Sequence, residues 1–164
     1  MKQLTMDCKQ VNIPLHACCF SGHRELDEDF SEKLLKKEIL SLIKKKNVKT
    51  FYCGMAMGFD LIAGELVAKL KKKYSLTLIA CIPFYGQEKH FSLEDKERYS
   101  LLLKNCDEQV VLSEKFVRGC YQKRNRYMVD NSDFLICYLR KDEGGTAYTV
   151  KYFKKHKTNE IIMV

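Results

Sequence analysis

VKTFYCGMAMGFDLIAGELVAKLKKKYSLTLIACIPF, residues 48–84, decides how the rest of the chain is read. Val48–Cys53 is a short β-prone run stopped by Gly54. Asp60–Lys73 places Leu61, Ile62, Leu66, Val67 and Leu70 at helical spacing, and Leu76–Phe84 is almost continuously apolar. Strand, glycine turn, helix and strand make a βαβ unit, which joins parallel strands. A strand apolar on both faces belongs in a sheet that helices cover on both sides.

The same alternation extends outward. His16–Phe20 reads as a strand ending at Ser21-Gly22, and Ser31–Lys45 as a helix with Ser31 as N-cap. Beyond the unit, Ser92-x-x-Asp95 resembles a capping box and opens a helix to Lys104. Gln109–Leu112 is a strand, Arg118–Asn131 a helix, Asp133–Leu139 a strand, Thr146–His156 a helix and Glu160–Val164 a last strand. The expected fold class is α/β with a mostly parallel central sheet. Residues 1–15 read as an irregular segment closed by Pro14, and 16–164 as a single domain without repeat or linker.

Length and composition agree. A chain of 164 residues can bury roughly two thirds of its unfolded surface and needs no disulfide or metal. Charged residues make up 30%, and 29 Lys+Arg against 21 Asp+Glu leave +8, a weak pointer to an anionic partner. The apolar run Leu78–Tyr85, broken by Pro83, is too short to span a bilayer, and no signal peptide is evident. The eight cysteines form no C-x-x-C pair, and five of them fall in strand-like runs. That usage fits buried thiols in a reduced, cytoplasmic protein.

In a parallel sheet the ligand site lies beyond the C-terminal strand ends, where connection order reverses. The rule selects segments 21–25, 54–60, 83–90 and 140–149. In the first, Ser21-Gly22-His23-Arg24 combines a permissive turn, a hydroxyl and a guanidinium, although an ordinary turn would look the same. In the second, Gly54-Met55-Ala56-Met57-Gly58-Phe59-Asp60 can expose backbone N–H groups beside a helix start, where phosphate binds. It is neither a dinucleotide fingerprint nor a Walker loop. Asp60 suits a ribose hydroxyl or N-terminal capping equally well. The third brings Pro83 and Phe84. In the fourth, Gly144-Gly145-Thr146 with Thr149 can form a phosphate nest or a plain N-cap.

Tyr121, Arg124 and Met128 share one face of the 118–131 helix. An inward guanidinium needs an anion, either a ligand phosphate or a carboxylate such as Asp130 or Asp133. Arg24, Arg98, Lys123 and Arg126 add charge at the same pole. The lysine runs 44–46, 71–73 and 154–155 instead end helices at the opposite pole, where they complement helix dipoles. His16, Cys18, Cys19 and His23 invite a zinc reading. However, Cys18 and Cys19 point to opposite sheet faces and no standard spacing is present, so no metal and no cofactor is expected.

In order, CCFSGHR, GMAMGFD, IPFYGQE, RY, RNRYMVD, SDFLICY and GGTAYTV resemble the YpsA-like branch of the SLOG (Smf/DprA–LOG) superfamily, from His16 to Val164. The resemblance implies a Rossmann-like three-layer sandwich that binds or senses a nucleotide or nucleotide-derived small molecule. It implies ligand contacts in the segments above, including Asn125 beside Arg124, and leaves a homodimer open. More distantly, Arg124–Met128, Ser132–Tyr138 and Gly144-Gly145-Thr146 are similar to the R-K-x-x-M, S/A-D-A-F-I-A-L and P-G-G-x-G-T-x-x-E of the lonely-guy phosphoribohydrolases. Asn125 replaces their lysine, and Thr149 stands where their catalytic glutamate would follow. A nucleotide N-glycosidase is therefore the second expectation, with Arg124 and either Glu88 or Glu143 as catalytic candidates. Single-stranded DNA binding is the third, by analogy to DprA and from the basic and aromatic stretch YQKRNRY at 121–127.

Overall fold

The computed structural model describes residues 15–164. The expected irregular segment lies outside them except for exposed Leu15. Six strands and five α-helices alternate: β1 (His16–Gly22), α1 (Glu32–Lys46), β2 (Val48–Cys53), α2 (Phe59–Tyr74), β3 (Thr77–Ile82), α3 (Leu93–Asn105), β4 (Glu108–Val111), α4 (Cys120–Asp130), β5 (Phe134–Tyr138), α5 (Gly144–His156) and β6 (Ile161–Met163). One element was not anticipated, a single 3₁₀ turn at Gln87–His90. The third strand stops at Ile82, before Pro83, which has no N–H to offer a sheet.

Local chemistry sets the helix ends. Ser31 and Ser92 accept from the N–H groups of Leu34 and Asp95, as their spacing predicts. Asn47 and Ser75, both left-handed, terminate α1 and α2. The lysines Lys44–Lys46 and Lys71–Lys73 occupy those last turns.

Every strand pairing is parallel, and the order is β4-β3-β2-β1-β5-β6. Leaving β1, the chain builds outward through β2, β3 and β4, then returns to add β5 and β6 on the other flank. The order therefore reverses between β1 and β5. Helices α1, α2 and α3 cover one sheet face with Leu35, Ile39, Leu61 and Leu102 over Cys18, Phe51 and Ile136. Helices α4 and α5 cover the other, with Met128, Val129, Val150 and Phe153 over Cys19, Cys81 and Cys137. Cys18 and Cys19 thus serve opposite cores. The described cysteines are free thiols, and burial pushes Cys19, Cys81 and Cys137 up to about 12. No helix among the described residues is long and apolar enough to cross a membrane.

Candidate functional site

A hollow of ≈ 340 Å³ opens at the C-terminal ends of β1 and β5, at the reversal of strand order. Ser21, Gly22, His23 and Arg24 form one wall. Ala56 comes from the turn after β2, Asp60 from the first turn of α2, and Gly145 and Thr146 from the start of α5. Helix α4 supplies Tyr121, Arg124, Asn125 and Met128. Phe20, Ala56 and Gln122 also line it and were not foreseen, because none carries a chemical signal in sequence.

Arg124 forms the floor and is 5% exposed. Its Nη1 donates to the carbonyls of Gly54 and Cys81, and its Nε donates to Asn125 Oδ1 at 2.8 Å. Among the described residues no carboxylate comes within ion-pair distance of it. The two expected carboxylate partners are elsewhere. Asp130 accepts from the Tyr152 hydroxyl. Asp133 sits at the opposite end of the sheet, where it accepts from Ala17 N–H and pairs with His16.

Asp60 is the carboxylate of the hollow. One oxygen accepts from Ala56 N–H at 3.3 Å, and Oδ1 is buried without a hydrogen-bond partner among the described residues. Burial raises its pKa to about 6, against the pull of Arg124 and the Ala56 N–H. A carboxyl that titrates near neutrality inside a concavity is a mark of functional sites.

The glycine turn after β2 works differently from expectation. A Cβ on Gly54 would lie 2.7 Å from both Arg124 Nη1 and Asp60 Oδ2, so this glycine makes room for the two charged groups. Gly58, at φ 74, would press a Cβ to 2.1 Å from the Arg24 carbonyl, so it lets the turns after β1 and β2 lie against each other. Phe59 N–H donates to the His23 carbonyl, and Ala56 N–H to Asp60. These two amides are engaged within the protein. Gly54, fully buried Met55 and Gly58 back the hollow without lining it.

Other expected residues lie outside it too. Arg98 makes a two-pronged contact with Glu65 and a third with Asp95, joining α2 to α3. Pro83 is buried, and Phe84 packs edge-on against Tyr121 and Phe116. The Thr149 hydroxyl donates to the Gly145 carbonyl, so it is satisfied within α5. Gly144, Glu88 and Glu143 do not line the hollow. Among the described residues that line the hollow, Asp60 is the carboxylate.

His23 lines the hollow and also holds it together. Its Nε2 accepts from Arg140 N–H at 2.8 Å, and its carbonyl accepts from Phe59 N–H. Partial burial and the nearby Lys141 and Arg140 charges lower its pKa, with Asp27 opposing, which keeps the ring an acceptor. Arg24 and Arg124 lie 5.6 and 6.0 Å from the Tyr121 ring centre.

The family model for the YspA SLOG family matches residues 19–163. This chain belongs to the YspA SLOG family. It is similar to the SPbeta prophage-derived protein YoqJ of Bacillus subtilis (strain 168), at 32% identity over 74% of this chain and 81% of that one. Among solved structures, DNA processing protein A (DprA) of Streptococcus pneumoniae matches with a TM-score of 0.65 at 18% identity, covering 91% of this chain. The chain spans 50% of that protein's length. DprA of Helicobacter pylori, described for its single-stranded DNA binding mode, matches at 0.62 and 20% identity, covering 96% of this chain and 68% of that one. These two likenesses show the Rossmann-like α/β fold.

Proposed function

We propose that this SLOG domain binds a nucleotide-derived, phosphorylated small molecule in the hollow between β1 and β5. The observation that carries the reading is Arg124, a nearly buried cation that borders the hollow and, among the described residues, has no carboxylate at ion-pair distance, Asp60 acting on it from farther off. Helix α5 starts at the same wall with no side-chain cap, so its first amides add positive potential beside Gly145 and Thr146. The ligand's anionic group sits there, a ligand hydroxyl faces Asp60, and a planar base lies toward Tyr121.

The test is thermal unfolding with a panel of nucleoside phosphates, ADP-ribose and cyclic dinucleotides. A true ligand at a hundredfold excess over its Kd adds about 2.7 kcal/mol. For a domain this size that is a rise in Tm of about 5–10 °C. Arg124→Gln should abolish the rise. A panel that shifts nothing would overturn the reading.

One observation favours turnover as a second reading. Asp60, with its pKa raised to about 6, is suited to proton transfer at neutral pH. Incubating the protein with nucleoside monophosphates and resolving free base by chromatography tests this. Release that Asp60→Asn removes would support it, and no release would dismiss it.

A further inference from the structure

Helix α4 carries more charge than the hollow uses. Arg124 faces inward, while Arg118, Lys123 and Arg126 line a separate open basin of ≈ 460 Å³ on its other flank, with Ser113 and Tyr148. Among the described residues no carboxylate lines this basin, and the first turn of α4 contains no acidic residue. The nearest acid along the helix, Asp130, lies one turn beyond Arg126 and is engaged by Tyr152. Lys123 and Arg126 donate only to neutral oxygens, those of Leu112 and the Tyr148 hydroxyl. Arg118 has no hydrogen bond or ion pair among the described residues. Three cations concentrated at one basin, with Asp130 acting on Arg126 alone from beyond ion-pair distance, hold a net positive potential.

The basin and the hollow are neighbours. Gln122 lines both. An aromatic cluster spans the same place: Phe116 lies beside Val117 of the basin, and its ring is 6.4 Å from that of Tyr121 in the hollow. Phe116 is 62% exposed, although its ring also meets Phe84 at 5.5 Å. An exposed ring next to a residue of each depression offers a stacking face near both.

We infer that the α4 basin is a second phosphate subsite, and that the ligand is a phosphate–nucleoside–phosphate chain running from the hollow across Phe116 and Tyr121 to Arg118, Lys123 and Arg126. The inference rests on the proposed nucleotide reading and extends it to the ligand's size. Two sources share this chemistry, a free dinucleotide and a short single strand.

Titration of the whole chain with deoxyadenylate, its dinucleotide pdApdA and longer oligodeoxyadenylates separates these cases. The dinucleotide should bind at least about tenfold tighter than the mononucleotide, with a steeper salt dependence. Arg118→Gln with Arg126→Gln should erase that gain, flatten the slope by about 1 and leave mononucleotide binding unchanged. The exposed single variant Arg118→Glu should act in the same direction. A gain that stops at two nucleotides marks a dinucleotide ligand, and one that climbs with length marks a strand. Equal binding of mononucleotide and dinucleotide, or a gain indifferent to the basin variants, overturns the inference while leaving the hollow reading intact. If Arg124-dependent mononucleotide binding is itself absent, the hollow reading falls first.

Discussion

Two carboxylates at opposite ends of the sheet face different fates. Asp107, just before β4, has Leu78 N–H and Lys71 as donors, at 2.8 Å each. Burial raises its pKa, but those donors outweigh burial and hold it below the usual carboxylate value. Asp60, just after β2, has one amide donor, one empty oxygen and a pKa raised to about 6. The structural end of the sheet satisfies its charges, and the other end leaves them wanting. An incompletely satisfied buried group costs stability; Ser132 Oγ carries that cost away from the hollow, and Asp60 Oδ1 carries it on the hollow's wall.

The sharpest way to break this contrast is Arg124→Gln. It removes the donor to the Gly54 and Cys81 carbonyls and leaves Asp60 without its attractive charge. Urea unfolding should show a loss of about 3–5 kcal/mol, and a loss under 1 would mean the floor is already well paired without it. Next is Gly58→Ala, which combines φ 74 with a Cβ 2.1 Å from the Arg24 carbonyl. It should cost about 2–4 kcal/mol by the same assay and distort both turns.

Asp60→Asn should act in the opposite sense. A carboxyl whose folded pKa lies above its unfolded value stabilises fully below pH 3.8, and that contribution is lost as pH rises through about 6. Replacing it with a neutral isostere should therefore raise stability at pH 7 by about 1–3 kcal/mol, with the gain vanishing near pH 4. Melting curves at both pH values check this, and a destabilised variant at pH 7 would show that Asp60 is well satisfied in the apo protein. The smallest effect belongs to Lys71→Ala, whose pair with Asp107 is partly exposed. It should cost under about 1 kcal/mol, and less at high salt. With Asp107's folded pKa lowered, its contribution holds above the unfolded value and fades as pH falls below it.

The alternation of elements was legible because apolar spacing is local. Ser31 and Ser92 announced their helices, and adjacent Cys18 and Cys19 announced a strand with two buried faces. The rim of the sheet was legible because topology alone places it. What each residue does there was not. Arg98 looked like a site cation until Glu65, 33 residues away, claimed it. Asp133 and Arg124 are close in sequence but belong to opposite ends of the sheet, since β5 begins directly after Asp133. The two glycines of the GMAMGFD turn read as a place for exposed amides, whereas the groups packed closest against them are Arg124, Asp60 and the Arg24 backbone. Such long-range partners leave no mark in local spacing.

His23 reaches two other turns at once, Phe59 through its carbonyl and Arg140 through its ring. It works as a keystone: the three arches around the hollow lean on one residue. Loosening any arch should loosen the others, so the amides of Phe59 and Arg140 should exchange their hydrogens in concert, slowing together when the hollow is filled.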